Sequence, residues 1–183
     1  MKYTPRRVLD KALELTFNGL IAIGPNRVFG RIRPHFLRAM GAQVGRNVKL
    51  SRRIKVLGAR RLVIEDDVAV ANSVILDARG ALTLERGALI GFESVLLTFT
   101  HAWPDPERPV HLQGSVSAPV LIGANAWVGA RVFVLPGATI GRSSVIGANS
   151  VVSKNVPPMS VAAGTPAQVV SARVDRSRAQ GER

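Results

Sequence analysis

Aliphatic residues return every six positions through most of this chain, and few folds can use that period. From Ile122 onward the hexads read IGANAW, VGARVF, VLPGAT, IGRSSV, IGANSV and VSKNVP. Their first positions are Ile122, Val128, Val134, Ile140, Ile146 and Val152. Their fifth positions, Ala126, Val132, Ala138, Ser144, Ser150 and Val156, are all small or β-branched. The same register runs upstream in three triplets: Val44, Leu50 and Val56; Ile64, Val70 and Leu76; Leu84, Ile90 and Leu96. A step of eight joins one upstream triplet to the next, which makes a 20-residue unit of three hexads and a two-residue insertion.

Six fits neither the heptad of a coiled coil nor the alternation of an ordinary strand; it is the signature of a parallel β-helix. Three short strands and three corners make one triangular coil. The first position fills the core, and the fifth also points inward, where the corner leaves room only for a small side chain. Asn47, Asp67, Gly87, Asn125, Gly137 and Asn149 fall at corners, where residues that tolerate positive φ are favoured. Stacked coils pair in parallel and satisfy their backbone groups across the ladder. A conventional α/β domain would need helical patterns between the strands, and the repeat leaves no room for them. The expected class is all-β, a parallel β-helix preceded by a helical segment.

Two segments break the repeat. Residues 1–40 carry a helical pattern: Thr4-Pro5 offers an N-cap and a first-turn proline, and Val8, Leu9, Ala12, Leu13, Leu15, Leu20 and Ile21 form a rough apolar stripe. Gly24-Pro25-Asn26 interrupts it. A second basic amphipathic stretch follows, with Val28, Phe29, Ile32, Phe36, Leu37 and Met40 among Arg27, Arg31, Arg33 and Arg38. The other break is an extruded loop at 101–119 with Pro104, Pro106, Pro109 and Pro119; a loop that long in a compact domain is usually functional. Residues 172–183 read as a polar tail.

The net charge of +13 belongs to one end. Residues 1–62 hold 15 basic and two acidic residues, Asp10 and Glu14, whereas residues 63–183 hold ten of each. Two interpretations fit this asymmetry. One is an end that meets anionic lipid or a pyrophosphate-linked glycan; the other is a solvated face that keeps the protein in solution. Nucleic acid is not expected as a partner, because the basic region lacks interleaved aromatics or a recognisable motif. The apolar run Leu15 to Ile23 is about half the length of a membrane span. Asp10, Lys11 and Glu14 stand where the apolar region of a signal peptide would begin. The expected location is cytoplasmic, with peripheral contact at the inner membrane face. The chain has no cysteine, which excludes disulfides, thiolate metal sites and a cysteine nucleophile.

The run APVLIGANAWVGARVFVLPGATIGRSSVIGANSVVSKNVPPMSVAAGTPAQVV, with Trp-x-Gly, Pro-Gly and Gly-x-Pro-Ala at matching spacings, resembles the hexapeptide-repeat acyltransferases. That family includes the galactoside, maltose and serine acetyltransferases, and the likeness covers residues 41–171. LDARGALTLERGALIGFESVLLTFTH and the Arg-rich lead-in to MGAQVGRNV look most like acetyltransferases encoded with exopolysaccharide and O-antigen genes. The resemblance implies a left-handed helix, a homotrimer, and acetyl-CoA bound in clefts between neighbouring subunits. It further implies O-acetylation of a sugar hydroxyl, on a small-molecule or lipid-linked precursor of the cell envelope or of exopolysaccharide.

The site residues come with the resemblance, position by position. His101 ends a strand and opens the proline-rich loop, where the family keeps its catalytic histidine. Acyl transfer from a thioester to a hydroxyl needs a base near neutral pH, a task suited to an imidazole. The matching oxyanion donor is the backbone N–H of Ala130, beside Gly129, which demands no particular side chain. Trp127 matches a tryptophan near the coenzyme arm and equally suits a subunit interface. Ala148 matches a position whose backbone meets the pantetheine. Lys154 and the turn Gly164-Thr165-Pro166-Ala167 match the end that holds the nucleotide. Many relatives carry a basic residue after Pro-Ala, where this chain has Gln168, with Arg173 the candidate substitute.

The acceptor side rests on fewer matches. Asn72, Asp77, Arg79 and Glu93 lie where relatives place polar contacts to the acceptor, and Asp77 and Glu93 are candidates to orient the imidazole. Trp103 is placed to stack on a sugar face. Ala102 replaces the Asp that many relatives carry after the histidine, and Asp105 is the nearest carboxylate. His111 suits a structural role or a substrate contact, and His35 has none assigned. Histidines so placed do not make the ligand set of the γ-class carbonic anhydrases that share this fold, so no metal is expected. Two other functions compete. A hydroxylated xenobiotic such as an antibiotic would use the same chemistry. A non-catalytic scaffold predicts regular outward arrays such as threonine ladders, which the sequence lacks.

Overall fold

The computed structural model describes residues 5–173, and within them the hexads stack as the period requires. Three parallel sheets form the faces of a triangular prism of about six turns. The first face comprises Gln43–Val44, Leu62–Ile64, Leu82–Leu84, Val120–Ile122 and Thr139–Ile140. The second comprises Lys49–Leu50, Ala69–Val70, Leu89–Ile90, Trp127–Val128, Val145–Ile146 and Ser160–Gly164. The third comprises Lys55–Leu57, Ile75–Asp77, Val95–Leu96, Phe133–Val134 and Val151–Val152. The first edge joins the first and second faces, the second edge joins the second and third, and the third edge returns the chain to the first face.

The fifteen hexad first positions become three columns of five. Val44, Ile64, Leu84, Ile122 and Ile140 are register partners on the first face. Leu50, Val70, Ile90, Val128 and Ile146 share the second, and Val56, Leu76, Leu96, Val134 and Val152 the third. All are buried except Val44 in the first coil, which is partly so. The fifth-position residues from Ala126 to Val156 are buried with them. Each such aliphatic side chain contributes roughly 1.5–3 kcal/mol on burial, so a charge in any column would break the stack.

Asn47, Asp67, Gly87, Asn125, Gly137 and Asn149 all adopt positive φ. So do Arg53, Ser73, Glu93, Arg131, Ser143 and Met159, whose residue types gave no hint of it. Bonds between coils hold these corners. The Glu93 N–H donates to the Asn72 carbonyl, and the Arg131 N–H to the Phe92 carbonyl.

The N-terminal segment caps the first coil. Helix α1 (Pro5–Thr16) runs into a π turn (Phe17–Ile21), and α2 (Asn26–Phe29) and α3 (Ile32–Ala39) follow the Gly24-Pro25 break. Phe17, Leu37 and Met40 extend the core downward. The Asn18 side chain pairs with both backbone groups of Val56, and the Arg53 N–H donates to the Ala22 carbonyl. Thr4 and residues 174–183 lie outside the described residues, so the expected N-cap and most of the expected tail fall there.

The 101–119 stretch leaves the prism on a short antiparallel hairpin. Phe99–His101 pairs antiparallel with Ser115–Ser117, and Val110–Leu112 forms a 3₁₀ turn at the far end. Thr98 roots it at the third edge: its hydroxyl donates to the Asp77 carbonyl and accepts from the Gly80 N–H, while its carbonyl accepts from the Ala118 N–H. At the other end of the prism the chain turns at Thr165-Pro166, and Ala167–Ala172 pairs antiparallel with Ser160–Gly164.

Candidate functional site

On the third edge a short relay of side chains leads to His101. Asp77 is fully buried and grips Arg79 in two bonds, 2.9 Å from Nε to Oδ1 and 2.7 Å from Nη2 to Oδ2. Those hydrogen bonds raise the Arg79 pKa above its ordinary value. The guanidinium lies 3.8 Å over the Phe99 ring, and Phe99 meets His101 edge-on with ring centroids 6.2 Å apart. The carboxylate of Asp77 therefore bonds Arg79 and not the imidazole, from which Arg79 and Phe99 separate it. Glu93 pairs with Arg131 at 2.6 Å, so both carboxylates considered as orienting groups are committed to arginines. Asp105 accepts from the Glu107 N–H and braces the hairpin's own turn. His101 and Trp103 line one shallow cleft with Thr100, Ala102, Pro104 and Val116, a lining that is mostly apolar.

The second edge carries a different resource, a run of uncommitted backbone donors. Among the described residues, the N–H groups of Asn72, Phe92, Ala130 and Ala148 donate to no protein acceptor, and they occupy the same corner position in four successive coils. Below them only the Arg52 N–H is taken, by Asn72 Oδ1 at 3.0 Å. Buried Ser94 shapes the turn that holds Ala130: its hydroxyl donates to the Gly129 carbonyl at 2.9 Å and accepts from the Val132 N–H at 3.1 Å. Gly91 keeps the space beneath open. A Cβ there would stand 2.5 Å from the Gly129 carbonyl and 2.7 Å from the Ala130 nitrogen. Gly129 does the same one coil on, where a Cβ would lie 2.9 Å from the Ala148 nitrogen.

Gly91 and Ser94 were not among the candidates read from sequence. Their signal was present but indirect, since each is the counterpart, one coil lower, of a residue in the Gly129–Val132 turn.

The expected site residues thus sort onto two edges. Gly129, Ala130, Ala148, Asn72 and Glu93 belong to the second edge. The Gly164–Pro166 turn joins them there through the Thr165 hydroxyl, which donates to the Asn149 carbonyl. His101, Trp103, Asp77 and Lys154 belong to the third, Lys154 sitting between the third-face strand Val151–Val152 and Val156, which bridges back to Ile140. Trp127 projects half-exposed from the second face, between Leu89 and Val145. One face, about five residues or roughly 16 Å of extended chain, separates the two edges. Arg173 lies away from both, donating to the Ser143 and Asn125 carbonyls on the first edge.

Comparison with known proteins places this arrangement. Residues 119–154 match the family model described as bacterial transferase hexapeptide (six repeats). The Escherichia coli K12 protein named as a colanic acid biosynthesis acetyltransferase, WcaF, is 33% identical over 149 residues, covering 81% of this chain and 79% of its own length. A galactoside acetyltransferase solved in complex with coenzyme A superposes with a TM-score of 0.65 at 28% identity, covering 94% of this chain and 83% of that one. A maltose O-acetyltransferase from Clostridium difficile 630 shares the fold with a TM-score of 0.76 at 24% identity, covering 93% and 87%.

Proposed function

The chain belongs to the bacterial hexapeptide-repeat acetyltransferases, and from that premise we propose that it transfers the acetyl group of acetyl-CoA to a hydroxyl of a sugar, free or lipid-linked, in the making of cell-envelope or exopolysaccharide material. The observation that carries this reading is the run of open N–H donors on the second edge, with Ala130 at the level of Trp127 and Ala148 one coil beyond. Pantetheine presents amide carbonyls at intervals, and a column of uncommitted donors is the complement they need. The nucleotide end falls to the Gly164–Pro166 turn and Lys154, the latter supplying a positive charge for phosphate.

Acetyl-CoA supplies an activated acyl carbon and a thiolate that can leave. His101 takes the proton from the acceptor hydroxyl as its oxygen attacks, and returns a proton to the departing sulfur. The Ala130 N–H receives the charge that develops on the acyl oxygen, held in place by Ser94 and by the space Gly91 leaves. Trp103 offers an aromatic face to the sugar within the His101 cleft, and Asn72 and Glu93 supply polar contacts to it. Because His101 and Ala130 stand on opposite edges of one face, the site is completed between copies, the third edge of one meeting the second edge of the next in a homotrimer.

The test is thiol release from acetyl-CoA with a panel of sugars, sugar nucleotides and hydroxylated antibiotics. Sugar-dependent release is expected. Release with antibiotics alone moves the acceptor to the xenobiotic class, and no release together with no coenzyme binding by calorimetry overturns the reading.

A further inference from the structure

Helix α1 is mounted with its polar side inward. At about 100° per residue, Asp10, Glu14 and Phe17 cluster within about 60° of one another, and this side meets the first coil. Asp10 pairs with Arg60 at 2.6 Å, Glu14 accepts from the Gly58 N–H at 2.7 Å, and Phe17 is fully buried. Val8, Ala12 and Leu15 occupy the opposite side, with Leu9 and Lys11 on its flanks. Val8, Leu9 and Leu15 are more than half exposed, and Leu20, Ile23 and Val28 continue the exposure, all six lying between 54 and 69%. Ordinary surface helices bury that stripe. Contiguous exposed apolar surface of this kind marks an interaction site.

The charges around it have one sign. Asp10 and Glu14 are the only acids in residues 1–62, and both are spent on the first coil. Lys11, Arg27 and Arg31 are exposed beside the apolar residues, Arg6 is exposed one turn before Asp10, and Arg52 and Arg53 are exposed on the adjoining coil. Buried Arg33 adds a charge whose hydrogen bonds all go to neutral acceptors, the Ile21, Gly24 and Leu50 carbonyls and Asn26 Oδ1. Beside it, a cleft of about 490 Å³ between α3 and the first coil is lined by Arg31, His35, Arg38 and Lys49.

We propose that this end of the molecule docks on an anionic lipid bilayer, the outward face of α1 and the residues after it entering the headgroup boundary while the surrounding arginines and lysines meet lipid phosphates. A second copy of the chain would cover the apolar face only by bringing two strongly basic segments together, whereas an anionic surface complements both the apolar and the charged features. No helix of the described residues is long and apolar enough to cross a membrane, so the contact is peripheral. The inference stands apart from the acyl-transfer reading, because it concerns the end away from the coils that carry Ala130 and Ala148.

Co-sedimentation of the full chain with vesicles of phosphatidylcholine, alone or mixed with phosphatidylglycerol, tests it. Binding about tenfold tighter to the mixed vesicles is expected, with release at high salt. A Leu15→Glu/Leu20→Glu variant is expected to lose that binding about tenfold, while its melting temperature and thiol release in solution stay as in the parent. Equal binding to both vesicle types, no binding, or salt-insensitive binding of the parent protein overturns the proposal without reference to any variant. So does a double variant that keeps its lipid binding, or one whose parent assembly splits on size-exclusion chromatography, which would assign the face to a second copy.

Discussion

The fourth coil presents nearly the same pattern twice, at the first edge as Ile122-Gly123-Ala124-Asn125 and at the second as Val128-Gly129-Ala130-Arg131. The two alanine N–H groups nevertheless meet different fates. The Ala124 N–H donates to the Glu85 carboxylate at 2.8 Å, while the Ala130 N–H is left open above Gly91. The difference lies one coil lower, in the second position of the hexad beneath. Where that position holds Glu, as at Glu65 under Arg86 and Glu85 under Ala124, a carboxylate closes the donor. Where it holds Gly, as at Gly91 under Ala130, Gly129 under Ala148 and Gly123 under Arg142, the donor stays free among the described residues. The same backbone geometry is thus closed by carboxylates at Arg86 and Ala124 on the first edge, open at Arg142 on that edge, and open through four successive coils on the second.

The proposed site uses the second and third edges and not the first; three variants test that division, and a fourth reads the closed first edge through its stability in acid. His101→Ala should lower acetyl transfer by about 10²–10⁴-fold in steady-state thiol release with little change in melting temperature, since the side chain is exposed on the hairpin. Full activity in that variant would remove the third edge from the mechanism. Gly91→Ala should cost about 10²-fold in activity by intruding on the Ala130 N–H, and about 1–3 kcal/mol in stability by overpacking, both measurable on one preparation.

Glu85→Ala makes the opposite change on the first edge. It should cost about 1 kcal/mol in denaturant unfolding through the uncapped Ala124 N–H and leave the kinetics alone. A loss of activity there would mean the edges are not functionally distinct.

The smallest effect is in acid. The Arg46 N–H, and then its guanidinium, hold the Asp66 carboxyl below its ordinary value of 3.8. A depressed folded-state pKa stabilises the fold above the unfolded value, and the benefit fades as pH falls from 3.8 through the lowered one. Asp66→Asn should therefore flatten the acid limb of the stability profile slightly, because the amide oxygen still accepts from Arg46 but no longer titrates.

Much of the fold was legible before any coordinates. Val44 through Val152 announce their three columns by spacing alone, because a six-residue period leaves a chain one economical way to bury every first position. The corner residues with positive φ were only half legible. Asn, Asp and Gly signal the conformation, whereas Ser73, Glu93 and Arg131 are held in it by bonds to the coil below and Arg53 by its bond to Ala22 of the N-terminal segment. The relay from Asp77 through Arg79 and Phe99 to His101 was not legible, since it joins a coil corner to a hairpin 20 residues later. The mounting of α1 was the least legible. Its apolar stripe was plain, but a stripe does not say which way it faces, and here two specific carboxylate contacts outweigh it.

From sequence alone, then, came the period, the place of the excursion at 101–119 and the charge imbalance, all of which follow from local spacing and residue type. Tertiary structure alone decided which N–H groups are closed and which are open, which arginines claim Asp77 and Glu93, and which side of α1 meets solvent. Those outcomes depend on residues one coil or more apart in the chain, brought within bonding distance only when the coils stack.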